Sequence, residues 1–312
     1  HLELEERLDL ENAVLANTGV VVDGSVVSTL SFLTMLSYNG TFSESSEEED
    51  AFVITVDSGE ATWLTQMTGK GAFKFVGNGK DQSSIEISNF SYDDEYYGVS
   101  ESDYTGGSYF ENITAKLTSD AALGDTNYLK LVNSNLNKVG ELVVYGDVWL
   151  DNASLISTAS DDVTLELSAQ NFYVHNASSI GQTVTAKADE SFIFEGASGQ
   201  FNAKIDAGLV EIKADEDGTV SNVEYSQNAV VTSTNGTKIT DGSSLTVTGT
   251  SQLGGKVIFE NGGELDPDNQ TNEYNKLTIK QTDKAVTGGK WTLGEGVTFL
   301  SSEENAIVIV EG

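Results

Sequence analysis

The chain has 312 residues and carries 49 acidic side chains against 16 basic ones, a formal charge of −33 at pH 7. Phosphate recognition needs clustered Lys and Arg, and Arg7 is the only arginine, so the composition argues against nucleic acid and anionic membrane surfaces as partners. There is no cysteine, hence no disulfide, thiolate metal site or Cys nucleophile, and no run approaches the ~18 apolar residues of a membrane-spanning helix.

In chain order, residues 1–11 open with Leu2-Glu3-Leu4 and Leu8-Asp9-Leu10, alternations that suit a strand, although a helix through Leu4, Leu8 and Glu11 fits nearly as well. The sequence starts at His1, as expected of a processed segment whose leader has been removed. Residues 14–36 are more apolar. There Val20-Val21-Val22, Asp23-Gly24 and Val26-Val27 predict strand, turn and strand, because Asp-Gly supplies positive-φ turn positions. Residues 43–50 form an acidic loop, and strands resume at 51–56, 62–65 and 71–76. Residues 92–112 mix acids with tyrosines: too polar for a core strand, too aromatic for a disordered linker. They are expected to be an ordered excursion.

From residue 127 the rhythm is regular. Short strands are predicted at 128–132, 142–144, 163–167, 245–247, 257–259, 277–279, 291–293 and 307–310, with Asn-Gly and Gly-Gly corners between many of them. Pro267 is the only proline, as befits a chain that is mostly hydrogen-bonded strand. Val148-Trp149-Leu150-Asp151-Asn152-Ala153-Ser154 returns as Phe172-Tyr173-Val174-His175-Asn176-Ala177-Ser178 and, more loosely, as Phe192-Ile193-Phe194-Glu195-Gly196-Ala197-Ser198. A second unit, Val184-Thr185-Ala186-Lys187-Ala188-Asp189-Glu190, returns as Val210-Glu211-Ile212-Lys213-Ala214-Asp215-Glu216. Similar strands ~20–26 residues apart are what a coiled β-solenoid produces, one strand per coil stacking on its neighbour.

The expected fold is therefore all-β, a parallel β-solenoid with an irregular N-terminal part over 1–126 and about eight coils over 127–312. An antiparallel β-sandwich array is the alternative. The segment from Gly289-Lys290-Trp291-Thr292-Leu293 to Val297-Thr298-Phe299, and that from Ser244-Leu245-Thr246-Val247 to Gly262-Gly263-Glu264-Leu265, resemble the passenger repeats of bacterial autotransporter adhesins of the pertactin-like class. That resemblance, in strand rhythm over 127–312, implies a right-handed parallel β-helix displayed outside the cell for attachment or as a stalk. The membrane-barrel domain of such proteins has no counterpart in these residues.

Enzyme motifs are scarce. His1 and His175 are the only histidines, and His175 takes the turn position held by Asp151 and Glu195 in the sibling repeats, which marks a surface residue and not a general base. No nucleophile elbow, His-Glu-x-x-His or P-loop occurs. β-Helices do host polysaccharide lyases and hydrolases, but among 49 acids some pair meets hydrolase spacing by chance, and a single terminal Arg poorly equips a lyase. The chain reads as a non-enzyme that requires no cofactor.

Calcium takes six to eight oxygen ligands, which acidic loops supply. The candidates are Asp93, Asp94, Glu95 and Asp103, then Asp215, Glu216 and Asp217, then Asp266, Asp268 and Asn269; the competing reading is a solvated acidic face. Gly77-Asn78-Gly79-Lys80-Asp81 is one imperfect copy of a calcium-binding β-roll motif, and more simply a turn. Tyr96, Tyr97, Tyr104 and Tyr109 are candidates for stacking on sugar rings, against a packing role. Ile307, Val308, Ile309 and Val310 form an apolar strand suited to pairing with another chain. These features predict an extracellular structural or adhesive surface protein whose partners are copies of itself or surface glycans. The low-Arg, Cys-free, Asn/Thr/Ser/Gly-rich composition fits that setting.

Overall fold

The computed structural model describes residues 2–3, 14–15, 19–29, 41–42, 47–64, 70–88, 104–118, 123–138, 140–156, 165–181, 183–226, 229–248, 251–254, 256–261, 275–280, 298–301 and 307–311. Its strands pair in parallel and wind as a β-solenoid of about eight turns, without an α-helix among the described residues. Two compact units are distinguished, His1–Val148 with Ala153–Leu165, and Trp149–Asn152 with Glu166–Gly312.

In the first unit one face stacks Ile54 on Phe75, Phe75 on Phe110 and Phe110 on Leu131, all at most 1% exposed. A second face stacks Ala61, Ile85, Ala115, Leu136 and Leu155 in the same way. Phe75 and Phe110 lie nearly parallel with centroids 5.0 Å apart, as like-on-like stacking in a parallel ladder requires. Every second residue is buried because successive strand side chains point to opposite faces. Each fully buried Phe or Leu adds about 1.5–3 kcal/mol, and this repeated deposit of apolar area is what winds the chain.

Among the described residues the second unit stacks on three faces. Ala186, Ile205, Val231 and Leu253 stack on one; Phe192, Val210, Thr237, Val257 and Phe299 on the next; Val223, Leu245, Leu277 and Val308 on the third. The strand Val184–Glu195 serves two faces, with a register shift between Ala188 and Ser191 at the bend. Gly208 lies beside that bend, where a Cβ would come within 2.4 Å of the Glu190 carbonyl oxygen.

The corners explain the recurrent seven-residue pattern. Asn112, Asn133, Asn152, Asn176 and Asn261 have φ near +50°, as do Asp241 and Gly196. Each directly follows a strand, such as Gly107–Glu111, Asp147–Asp151 or Leu165–His175. Asn, Asp and Gly are the residues that visit the left-handed region at low cost, so they stop the strand and turn the chain. Buried serines bridge the corners between layers: Ser134 Oγ accepts from Ile113 N–H, Ser221 Oγ from Ala197 N–H, and Ser243 Oγ from Ser221 N–H.

Three expectations change. Gly19–Thr29 is one irregular strand paired with Phe52–Leu64, so Asp23-Gly24 makes a bend and not a hairpin turn. The 184–190 and 210–216 copies are not stacking partners: Thr185 pairs with Lys204, and Val210 lies on Phe192. Parallel pairing also begins well before residue 127, since Val20 already pairs with Ile54.

Candidate functional site

Among the described residues, an elaborated outward surface lies in the first unit. Lys74, Tyr109 and Lys130 are register partners in successive strands, so their side chains form an outward column. Over it folds the short 3-10 turn Glu48–Asp50. Glu48 reaches both lysines, with Oε1 accepting from Lys74 Nζ at 2.8 Å and Oε2 from Lys130 Nζ at 2.7 Å. Lys74 also meets Glu111 at 2.7 Å. Burial alone would raise the Glu48 carboxyl, but the hydrogen bonds and charges of Lys130 and Lys74 outweigh it and hold the group below its ordinary value. Lys74 is the mirror case: burial lowers its pKa, and Glu111 and Glu48 more than restore it.

Beneath this clamp Tyr109 packs with Ala51, Ala72 and Tyr128, and its ring centroid lies 5.6 Å from that of Tyr128. Burial, then the neighbouring Tyr128, Glu47 and Glu48, push the Tyr109 phenol well above its usual range. Glu47, Glu48, Tyr109, Asn127, Tyr128 and Lys130 enclose an open cavity of about 400 Å3.

The second unit carries a polar ladder. Trp149 stacks on Tyr173 at 5.3 Å and on His175 at 4.1 Å. Glu195 stands 3.7 Å from His175 Nε2 and 3.0 Å from Lys213 Nζ. His175 ends a strand beside Glu195, and with its side chain 14% exposed under Trp149 it is more covered than the surface turn residue expected from the repeat. Nearby, Lys238 bridges Glu211 and Glu260 at 3.2 and 2.8 Å.

Of the residues singled out in the sequence, Tyr104 is fully buried, stacks edge-on with Phe73 at 5.4 Å and donates its hydroxyl to the Gly107 carbonyl at 2.6 Å. It packs the core and is closed to a sugar. Tyr109 lines the cavity. Tyr96, Tyr97, Asp93, Asp94, Glu95 and Asp103, with Asp266, Asp268 and Asn269, lie outside the described residues. Asp215, Glu216 and Asp217 form a turn in which Asp215 Oδ1 accepts from Thr219 N–H at 2.7 Å. Among the described residues no group of three or more His, Asp or Glu side chains is placed to hold a metal ion. The Gly77–Asp81 stretch makes a corner, with Asn78 N–H donating to Ser83 Oγ.

Sequence reasoning missed Glu48, Asn127, Tyr128 and Lys130. Alternation places Tyr128 and Lys130 outward on their strand. Nothing local announces the 82-residue link between Lys130 and Glu48. Comparison with family models, curated proteins and solved structures finds no match to this chain.

Proposed function

We propose that the chain is a non-enzymatic extracellular surface protein of structural or adhesive type, and that copies join through the strand Ile307–Glu311. The observation that carries this reading is the state of Val308. It is the register partner of Leu277, whose own partner is Leu245, and both of these are at most 1% exposed, whereas Val308 is 43% exposed. Ile307–Val310 is an apolar run in a strand that pairs in parallel with Lys276–Lys280, and an apolar strand with an exposed side chain of this kind is suited to pairing with the strand of another copy.

The outward charges favour a scaffold in the same way. Glu48 is engaged by two lysines and Lys238 by two glutamates, so these groups tie layer to layer. The composition read above supports a setting outside the cell.

The test is light scattering on the protein, on a form lacking residues 307–312 and on Val308→Lys. Concentration-dependent growth in the unaltered protein, lost in both variants with strand content retained, is the expected result. Equal particle size in all three removes the assembly reading.

A further inference from the structure

The geometry points to the cavity beneath the Glu48 turn as a binding site for a neutral saccharide of about one or two rings. Its volume, about 400 Å3, is at the small end of ligand cavities. Tyr128, only partly buried, offers the apolar ring surface that suits the C–H face of a pyranose, and Tyr109, 5% exposed, backs it from the core with ring centroids 5.6 Å apart.

Around these rings stand donors and acceptors in the mixture that a polyol matches. Glu47 is exposed at the rim and supplies a carboxylate acceptor, and exposed Asn127 supplies an amide with both functions. Lys130 gives one N–H to Glu48, and an ammonium has three. Glu48 is fixed from both sides by Lys74 and Lys130, so the wall is set before any ligand arrives. Preorganisation of this kind lowers the ordering cost of binding.

Charge selects among polar ligands. Two carboxylates and one ammonium line the cavity, in a chain of net charge −33, which disfavours acidic sugars and phosphates. Lys130 already neutralises Glu48, which disfavours a cation at the same place. An aliphatic or lipid ligand meets too many solvated polar groups. A neutral, many-hydroxyl ligand is what remains. This inference stands apart from the assembly reading, because the cavity is built wholly within the first unit.

The experiment is saturation-transfer NMR and chemical-shift titration with methyl β-glucoside, methyl β-galactoside, methyl α-mannoside and N-acetylglucosamine. At least one sugar binds saturably, with affinity on the order of millimolar for so open a site. Tyr128→Ala weakens it about tenfold, the expected loss for an aromatic contact, and Glu47→Gln weakens it measurably. Tyr145→Ala, at a residue that is 64% exposed and outside the cavity, leaves it unchanged, and melting curves establish that all variants fold. The form lacking residues 307–312 keeps its sugar binding whatever its assembly state. The inference is overturned if no sugar in the panel saturates, if Tyr128→Ala binds as well as the unaltered protein, or if calcium or ethanolamine occupies the cavity instead.

Discussion

Trp149 and His175 lie face to face, ring centroids 4.1 Å apart and planes 20° off parallel. The indole shields the imidazole, and His175 Nε2 is buried without a hydrogen-bond partner, 3.7 Å from Glu195 Oε2.

Burial lowers the His175 pKa below 6.5; the carboxylates of Glu195, Asp151 and Asp215 pull it back up, while Lys213 pushes it down, and the net shift is downward. A base with a depressed folded pKa binds fewer protons folded than unfolded, so its contribution to stability is present above 6.5 and is lost as pH falls through the folded value. Denaturant titrations at pH 7.5 and 5 should therefore show a smaller loss for His175→Phe, which keeps the stack and removes the proton site. Carboxylates such as Glu48 titrate in both forms and cancel in the difference. Parallel pH profiles for the two proteins would remove His175 from the acid response.

The solenoid was legible in the sequence because its determinants are local and periodic. Inward positions such as Phe172 and Phe192 recur one layer apart, where the rings stack at 5.0 Å, and Asn152 and Asn176 mark the corners. Where the pattern misled, it was similarity of composition without similarity of place. Val184 and Val210 start look-alike segments on different faces, and Asp23-Gly24 carries a hairpin signature within a strand whose partner is Phe52–Leu64. The candidate site was illegible for another reason. Its central contacts join Glu48 to Lys74 and Lys130, 26 and 82 residues away, and no periodicity encodes a loop folding over a strand face.

Asn176 has φ of 52°, and its side-chain amide donates to Asp151 Oδ1 of the preceding layer at 2.7 Å. Asn176→Val places a β-branched residue in the left-handed region and should cost roughly 1–2 kcal/mol. Asn176→Gly keeps the backbone and loses only an exposed hydrogen bond, so its cost should be smaller by half or more. Urea midpoints for the two variants test this ordering, and equal midpoints would show that the corner tolerates another conformation.

Phe192 is fully buried, parallel to Phe172 and 5.1 Å from Phe194. Phe192→Ala opens a cavity between layers that are tied to each other by backbone ladders and cannot easily collapse. A loss of about 3–5 kcal/mol is expected in equilibrium unfolding, against less than about 1.5 kcal/mol for Phe192→Leu with partial repacking. A loss near 1 kcal/mol for the alanine variant would mean that the coil closes over the gap.

Lys238 is the register partner of Glu211 and bridges it to Glu260, with side chains 20–40% exposed. The hydrogen bond to Glu260 is the largest cause of its raised pKa, ahead of the opposing burial and the help of Glu211. The stability it contributes is complete below the ordinary lysine value of 10.5 and is lost as pH rises through the folded value. At this exposure the pairs add about 1 kcal/mol or less at neutral pH. Lys238→Met also leaves Glu211 and Glu260 facing each other, so its penalty should be largest at low ionic strength and shrink as salt shortens the Debye length from about 30 Å at 0.01 M to about 3 Å at 1 M. Thermal melts of both proteins across that salt range measure the difference. A penalty independent of salt would mean that Lys238 acts through the packing of its aliphatic stem on Ile258, its register partner in the next strand, and not through its charge.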